Sequence, residues 1–302
     1  MPIELLSAMR PRQWAKNVFV LAPLVFARQL DEPRVLGRAL VAFAAFSLVA
    51  SAVYLFNDIR DREEDSHHPR KRDRPIAAGR LPVSVAVTAA TLLAAAALAM
   101  GLALGGAFVA ILVAYLVTNL AYSMRLKRVV ILDVMVLSVG FVLRVMAGGV
   151  AVGVEVSAWL ILCTSFLALF LAFSKRRHEL MLLADDAAEQ RQVLTHYSPA
   201  FLDQMINVVT AGTVIAYAVW AISPETVEKF DTRDLIYTMP FVLFGIFRYL
   251  YLIYQRSSER NPTEAILGDK PFLVNILLWV TSVVWVIYGG LVAEWLNIGW
   301  AG

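Results

Sequence analysis

Asn57, Asp58, Asp61 and Asp65 spell N-D-x-x-D-x-x-x-D where a long apolar run, 35–56, meets a densely charged stretch. Three carboxylates and an amide at the edge of an apolar segment are ligands for a cation. A helix carried past Phe56 brings positions 57, 61 and 65 round every four residues, with Asp58 beside them, so one face gathers the oxygens. Oxygens so close together repel one another unless a divalent ion neutralises them. Hard oxygen donors suit Mg2+, which keeps several waters and completes its shell with substrate phosphates. The expected metal ligands are Asn57, Asp58, Asp61 and Asp65, and the expected cofactor is Mg2+.

The next residues, His67-His68-Pro69-Arg70-Lys71-Arg72-Asp73-Arg74-Pro75, set a cluster of cations beside those acids. Cations next to a metal site suit a polyphosphate ligand, although the basic run by itself reads as juxtamembrane topology charge. A second polar set follows at Tyr122-Ser123-Met124-Arg125-Leu126-Lys127-Arg128, with Asn119 a turn earlier and Asp133 just inside the next apolar segment. An acid within an apolar helix is costly and usually faces the protein interior or a polar cavity. Arg144 and Arg248 also fall within apolar segments, and each is open to a buried ion pair or a functional role. Ser174-Lys175-Arg176-Arg177-His178-Glu179 offers three adjacent cations, and Arg10 to Asn17 combines cations with Trp14 in the manner of an interfacial anchor. The four histidines lack metal-ligand spacing. Gly148, Gly149 and Gly153 lack the setting of a phosphate loop and are read as a turn between spans.

The elements that must position these groups are membrane helices. The chain has 302 residues, 59% of them hydrophobic and 17% charged, with a mean hydropathy of +0.66, which places it among integral membrane proteins. Nine apolar segments stand out, at 17–30, 35–56, 83–104, 106–121, 129–147, 157–173, 201–222, 235–254 and 272–293, the first short and interrupted by Pro23. With the N-terminus in the cytoplasm, 20 of the 27 Lys and Arg residues fall on the cytoplasmic side and five on the other. That asymmetry follows the positive-inside rule and puts the acid motif at the cytoplasmic face. The net charge of +3 is read as topology and phosphate binding, not as nucleic-acid binding. Cys163 is the single cysteine, which excludes an intrachain disulfide. No repeat or Gly/Ser linker divides the chain, so 1–302 is read as one polytopic domain with no cleavable signal peptide.

Asn57-Asp58-x-x-Asp61-x-x-x-Asp65, followed by Arg74-Pro75-Ile76-Ala77-Ala78-Gly79 and by Tyr122-Ser123 with Lys127, resembles the UbiA superfamily of intramembrane prenyltransferases. The resemblance covers essentially the whole chain and implies an all-α bundle of nine transmembrane helices with catalytic loops near 57–82, 122–128 and 174–200. Within the superfamily, Met9 to Asn17, the Asn57-Asp58-Ile59-Arg60-Asp61 form of the motif and Val130-Ile131-Leu132-Asp133-Val134 are most similar to the phosphoribosyltransferases that act on polyprenyl phosphates. That likeness implies Mg2+-dependent transfer of 5-phosphoribose from phosphoribosyl pyrophosphate to decaprenyl phosphate at the plasma membrane, for cell-wall arabinan. It implies Asn57, Asp58 and Asp61 at the reacting diphosphate, and Arg12, Lys16, Arg70, Arg74, Tyr122, Lys127, Lys175 and Arg176 as phosphate-gripping candidates. Typical members carry a second acidic D-x-x-x-D motif after the sixth helix. Here that place holds Lys175, Arg176, Arg177 and Glu179, which fits a donor with an additional phosphate. The alternatives are a UbiA-type prenyl transfer to an aromatic acceptor and, in another class, a Mg2+ transporter, for which the spans are too apolar. Homo-oligomerisation is compatible with so small a bundle.

Overall fold

The computed structural model describes residues 1–67, 71–182, 192–255 and 268–295, so the expectations placed on His68 and Arg70 lie outside the described residues. All the regular structure among the described residues is helical. The helices are α1 (Pro2–Met9), α2 (Ala22–Phe26), α3 (Pro33–Arg60), α4 (Arg62–His67), α5 (Val83–Leu104), α6 (Gly106–Met124), α7 (Leu132–Val152), α8 (Ala158–Leu182), α9 (Pro199–Ile222), α10 (Pro224–Phe230), α11 (Met239–Tyr254) and α12 (Lys270–Trp295). Short 3-10 helices cover Pro11–Leu21, Leu126–Arg128, Gln192–His196 and Asp234–Thr238.

Eight helices among the described residues are long and apolar enough to cross a membrane: α3, α5, α6, α7, α8, α9, α11 with the 3-10 turn before it, and α12. The sequence expectation was nine. The remaining segment, 17–30, folds instead as the end of the Pro11–Leu21 3-10 helix and the five-residue α2. Pro23 sits in the first turn of α2, where proline starts a helix but cannot continue one. Arg28 then takes a left-handed φ of 57°, so no continuous helix runs through this stretch.

The chain divides into two compact units. One comprises Met1–Val156 and the 3-10 helix Gln192–His196; the other holds α8 to α12. In the first unit α3 is central, packing against α5, α6, α7, α1 and the Pro11–Leu21 helix. Ala39, Ala42, Ala45, Ser47, Ala50, Ser51 and Ala52 are all buried along it, and small residues of this kind let helices approach closely within a bilayer. Phe46 fills the centre, edge-on to Phe108 at 6.2 Å and to Tyr115 at 5.3 Å. Gly148 and Gly149 belong to α7 and not to a turn, whereas Gly153 ends that helix with φ 76°. A side chain at Gly148 would collide with the Val20 carbonyl, so glycine there lets the 3-10 helix lie against α7.

In the second unit α8 packs on α9 and α11 on α12. Ser198-Pro199 and Ser223-Pro224 open α9 and α10: each serine caps the helix, accepting from Phe201 N–H at 3.1 Å and Thr226 N–H at 3.3 Å, while each proline fills a first-turn position that needs no donor. Phe170 meets Tyr249 at 5.0 Å, and Trp279 donates to the Tyr217 hydroxyl at 3.1 Å.

Candidate active site

The apolar alternation that drives α3 into the core runs to Leu55, and the helix delivers the motif as it leaves that core. Asn57 and Asp58 are in its last turn, Asp61 is its C-cap, and Asp65 lies in α4. The single helical face expected from the spacing is interrupted at Asp61. The i+4 relation nevertheless persists through the break, with Asp61 N–H donating to Asn57 O and Asp65 N–H to Asp61 O, both at 2.8 Å. Asp58 and Asp65 are each 2% exposed.

Each carboxylate meets a cation. Asp58 Oδ1 receives Arg10 at 2.5 Å and Arg74 at 3.1 Å. Arg74 also reaches Asp65 Oδ2 at 2.6 Å, and Lys71 lies 3.8 Å from Asp65 Oδ1. Lys127 holds Asp61 at 2.8 Å, and the Ser123 hydroxyl donates to Asn57 Oδ1. Burial pushes the Asp65 carboxyl up from the ordinary carboxylate range, against the pull of Arg74 and Lys71, with Asp58 adding to the rise.

Local sequence explains how Arg74 gets there. In Arg74-Pro75-Ile76-Ala77-Ala78-Gly79, Ile76 is buried with Leu81, Leu55, Ala8 and Ala86, so the loop is anchored in the core. Gly79 adopts φ 72°, a left-handed conformation that glycine takes without steric cost, and Leu81 N–H closes the turn on Pro75 O at 2.9 Å. The turn is thereby fixed with Arg74 facing the acids. Lys127 is set by a compact connection, the 3-10 turn Leu126–Arg128 followed by Ile131 at φ 69°. Asp133 is fully buried in the first turn of α7.

The first unit therefore brings together Asn57, Asp58, Asp61, Asp65, Arg74 and Lys127, and adds Arg10, Lys71 and Ser123. In the sequence Arg10 stands only as part of an anchor. Of the two N-terminal candidates, Arg12 is exposed and Lys16 half-buried in the 3-10 helix, while Tyr122 is half-buried on α6. The remaining two, Lys175 and Arg176, belong to the second unit and do not start a loop, because α8 runs on to Leu182. Arg176 is buried and 2.5 Å from Glu179, which also faces Lys175 at 3.7 Å. Arg177 pairs with Asp203 at 2.5 Å and stacks on the Tyr254 ring at 3.7 Å. Arg248, open to either role in the sequence, grips Asp269 at 3.0 and 2.8 Å in a bidentate structural pair.

Among the described residues no group of three or more His, Cys, Asp or Glu side chains is gathered as a metal-ion set; protein cations face the acids instead. One oxygen nevertheless stands apart, since Asp58 Oδ2 is buried with no hydrogen-bond partner. A buried carboxylate oxygen left unpaired is costly, and a hard oxygen donor of this kind suits a hard divalent cation.

The described residues thus give eight apolar helices, with an acid motif at the end of a central one and cations folded back over it. The sequence pattern of the UbiA prenyltransferase family matches residues 18–276, and the chain belongs to that family, as a multi-pass membrane protein. It is 36% identical over 295 residues to the decaprenyl-phosphate phosphoribosyltransferase of Mycolicibacterium smegmatis, covering 94% of this chain and 92% of that one. It is 37% identical over 290 residues to the protein of the same name from Corynebacterium glutamicum, covering 94% and 86%. Its fold is similar to that of a UbiA homologue from Archaeoglobus fulgidus bound to GPP and Mg2+, with a TM-score of 0.72 at 20% identity, over 94% of this chain and 99% of the other.

Proposed function

We propose that the protein transfers 5-phosphoribose from phosphoribosyl pyrophosphate to decaprenyl phosphate and releases pyrophosphate, as a step toward cell-wall arabinan. The observation that carries this reading is the near full-length likeness to decaprenyl-phosphate phosphoribosyltransferases. The acid-and-cation cluster at the end of α3 supports it. In this proposal the polytopic chain works as one catalytic domain in the plasma membrane, with its N-terminus and the acid motif on the cytoplasmic side and the 17–30 segment as a ninth membrane element.

Asn57, Asp58 and Asp61, with Asp65 a turn further, would hold Mg2+, which when bound neutralises the diphosphate of the donor. Arg10, Arg74 and Lys127 exchange their carboxylate partners for phosphate oxygens as the donor enters, each keeping a charge-assisted contact throughout. An oxygen of the lipid phosphate forms the new bond to the ribose C1. The bond from C1 to the diphosphate oxygen breaks, and its electron pair leaves with pyrophosphate. The attacking oxygen is already anionic, so no side chain has to remove a proton. The work of the protein is positioning and charge stabilisation. Lys175 and Arg176 on α8, and Arg12, Lys16, Arg70 and Tyr122, are further candidates for gripping a phosphate of the donor or of the lipid. The polyprenyl tail would lie among apolar helices, with its phosphate at the cytoplasmic interface.

Family membership alone favours a second reading, in which a prenyl diphosphate is the donor and an aromatic ring the acceptor. A donor comparison separates the two. Purified protein in lipid, given Mg2+ and either phosphoribosyl pyrophosphate with decaprenyl phosphate or a prenyl diphosphate with 4-hydroxybenzoate, is expected to turn over only the first pair. Turnover of the second pair alone would replace the proposal with the prenyl-transfer reading.

A further inference from the structure

Arg144 is 5% exposed in the middle of α7, and among the described residues no carboxylate pairs with it. A charge at such a depth needs a physical reason. Its three nitrogens each reach a different acceptor: Nε donates to Asn17 Oδ1 at 2.8 Å, Nη1 to Gly140 O at 2.8 Å and Nη2 to the Tyr115 hydroxyl at 2.9 Å. The rings of Tyr115, Phe141 and Phe46 surround the guanidinium at 4.8, 5.5 and 5.9 Å, and their faces offset part of the lost hydration. A planar fork of donors can hold three elements in one geometry, which a lysine ammonium cannot.

What the fork holds is the N-terminal 3-10 helix. Asn17, 1% exposed, accepts from Arg144 and passes its own amide to the Ser47 hydroxyl on α3 at 3.1 Å. Trp14 donates to Ser51 at 3.0 Å, and the Ser51 hydroxyl lies 3.0 Å from Met9 O. The segment thus runs along α3 under polar control and ends at Arg10, seven residues from Asn17 or roughly 14 Å at the 3-10 rise. Arg10 takes the left-handed φ of 54°, a conformation a non-glycine residue holds only where its surroundings over-determine it. From that position its guanidinium lies 5.1 Å from the centre of the Tyr54 ring and 2.5 Å from Asp58.

We infer that Arg144 is a positioning residue for the transfer: through Asn17 it fixes the register of the 11–21 helix and so aims Arg10 at Asp58 and at the donor diphosphate. The inference rests on the phosphoribosyl-transfer reading for what Arg10 grips, but not for the tethering itself. Two readouts test it separately. Backbone amide exchange over 11–21 is expected to accelerate at least about tenfold in Arg144→Met, while exchange in the middle of α5 stays as in the wild type. In kinetics, Arg144→Met is expected to lower kcat/KM for the donor about fiftyfold, as small misplacements of a positioned group do. In an Arg10→Ala background the same substitution is expected to lower it less than about threefold, because residues acting through one another are not additive. Equal losses in both backgrounds, or unchanged exchange over 11–21, would overturn the inference. Should Arg144→Met not accumulate, Asn17→Ala severs the same link while leaving Arg144 its other two acceptors, and the same two criteria apply. If the wild type transfers no phosphoribose, the proposed function falls, while the exchange experiment still decides whether Arg144 holds the segment.

Discussion

Replacing Asp58 by alanine is expected to lower kcat/KM for phosphoribosyl transfer by about a thousandfold, the scale seen when a central charge-stabilising group is lost. Asp58 combines burial, two guanidinium partners at one oxygen, and a second oxygen with no protein partner. Removing it withdraws a carboxylate proposed to hold the divalent cation and leaves Arg10 and Arg74 without their shared counter-charge. Both arginines are partly solvated, with side chains 29% exposed, so the fold should survive, and a thermal melt in detergent would confirm that the loss is not one of stability. Asp58→Asn preserves shape and one acceptor oxygen but not charge. It is expected to lose about a hundredfold and to require more Mg2+ for half-maximal rate. An Asp58→Ala enzyme with wild-type rate and metal dependence would contradict the assignment.

The second large effect is expected at Arg74. Arg74→Ala should raise KM for phosphoribosyl pyrophosphate about thirtyfold, matching the loss of a charge-assisted contact of about 2 kcal/mol, with a smaller change in kcat. Arg74 bridges Asp58 and Asp65, so its loss also removes the strongest influence holding the Asp65 carboxyl down. Burial already raises the Asp65 carboxyl from its ordinary value. Without Arg74 it must keep its proton to a higher pH still, and since the ionised form is the one that serves a cation, the acid limb of the pH–rate profile should move upward in the variant. Steady-state kinetics across pH would show both effects, and an unshifted acid limb would mean that Asp65 does not take part.

Much of this site can be read from the residues. The acid spacing stands out in the chain, because acids rarely fall by chance at i, i+4 and i+8, whereas the cations at Arg74 and Lys127 read by themselves as topology charge and gain meaning only beside those acids. The break in the helix at Asp61 cannot be read in the same way, since no glycine or proline marks it; beyond it α4 carries Asp65, which meets Arg74 at 2.6 Å. Arg10 was missed although a signal was present. The α region is disfavoured for the residue before a proline, so Arg10-Pro11 marks a boundary for a helix beginning at Pro2, and a cation at such a hinge is aimed differently from its neighbours. The cations of α8 were assigned to a loop although Lys175 and Arg176 lie four and three residues before Glu179, the spacing of helical ion pairs; those pairs are present and the helix continues. Arg144 was left open because its partners are an asparagine 127 positions away and a tyrosine on another helix, which no local pattern reveals.

Phosphoribosyl transfer is followed by label moving from 5-phosphoribosyl pyrophosphate, radiolabelled on the 5-phosphate, into the organic phase in the presence of decaprenyl phosphate. The protein should be purified into lipid and assayed with Mg2+ or with excess chelator. Metal-dependent transfer is expected, with one pyrophosphate released for each labelled lipid formed and loss of both in Asp58→Ala. Label remaining wholly in the aqueous phase, with folded protein and both substrates present, would contradict it.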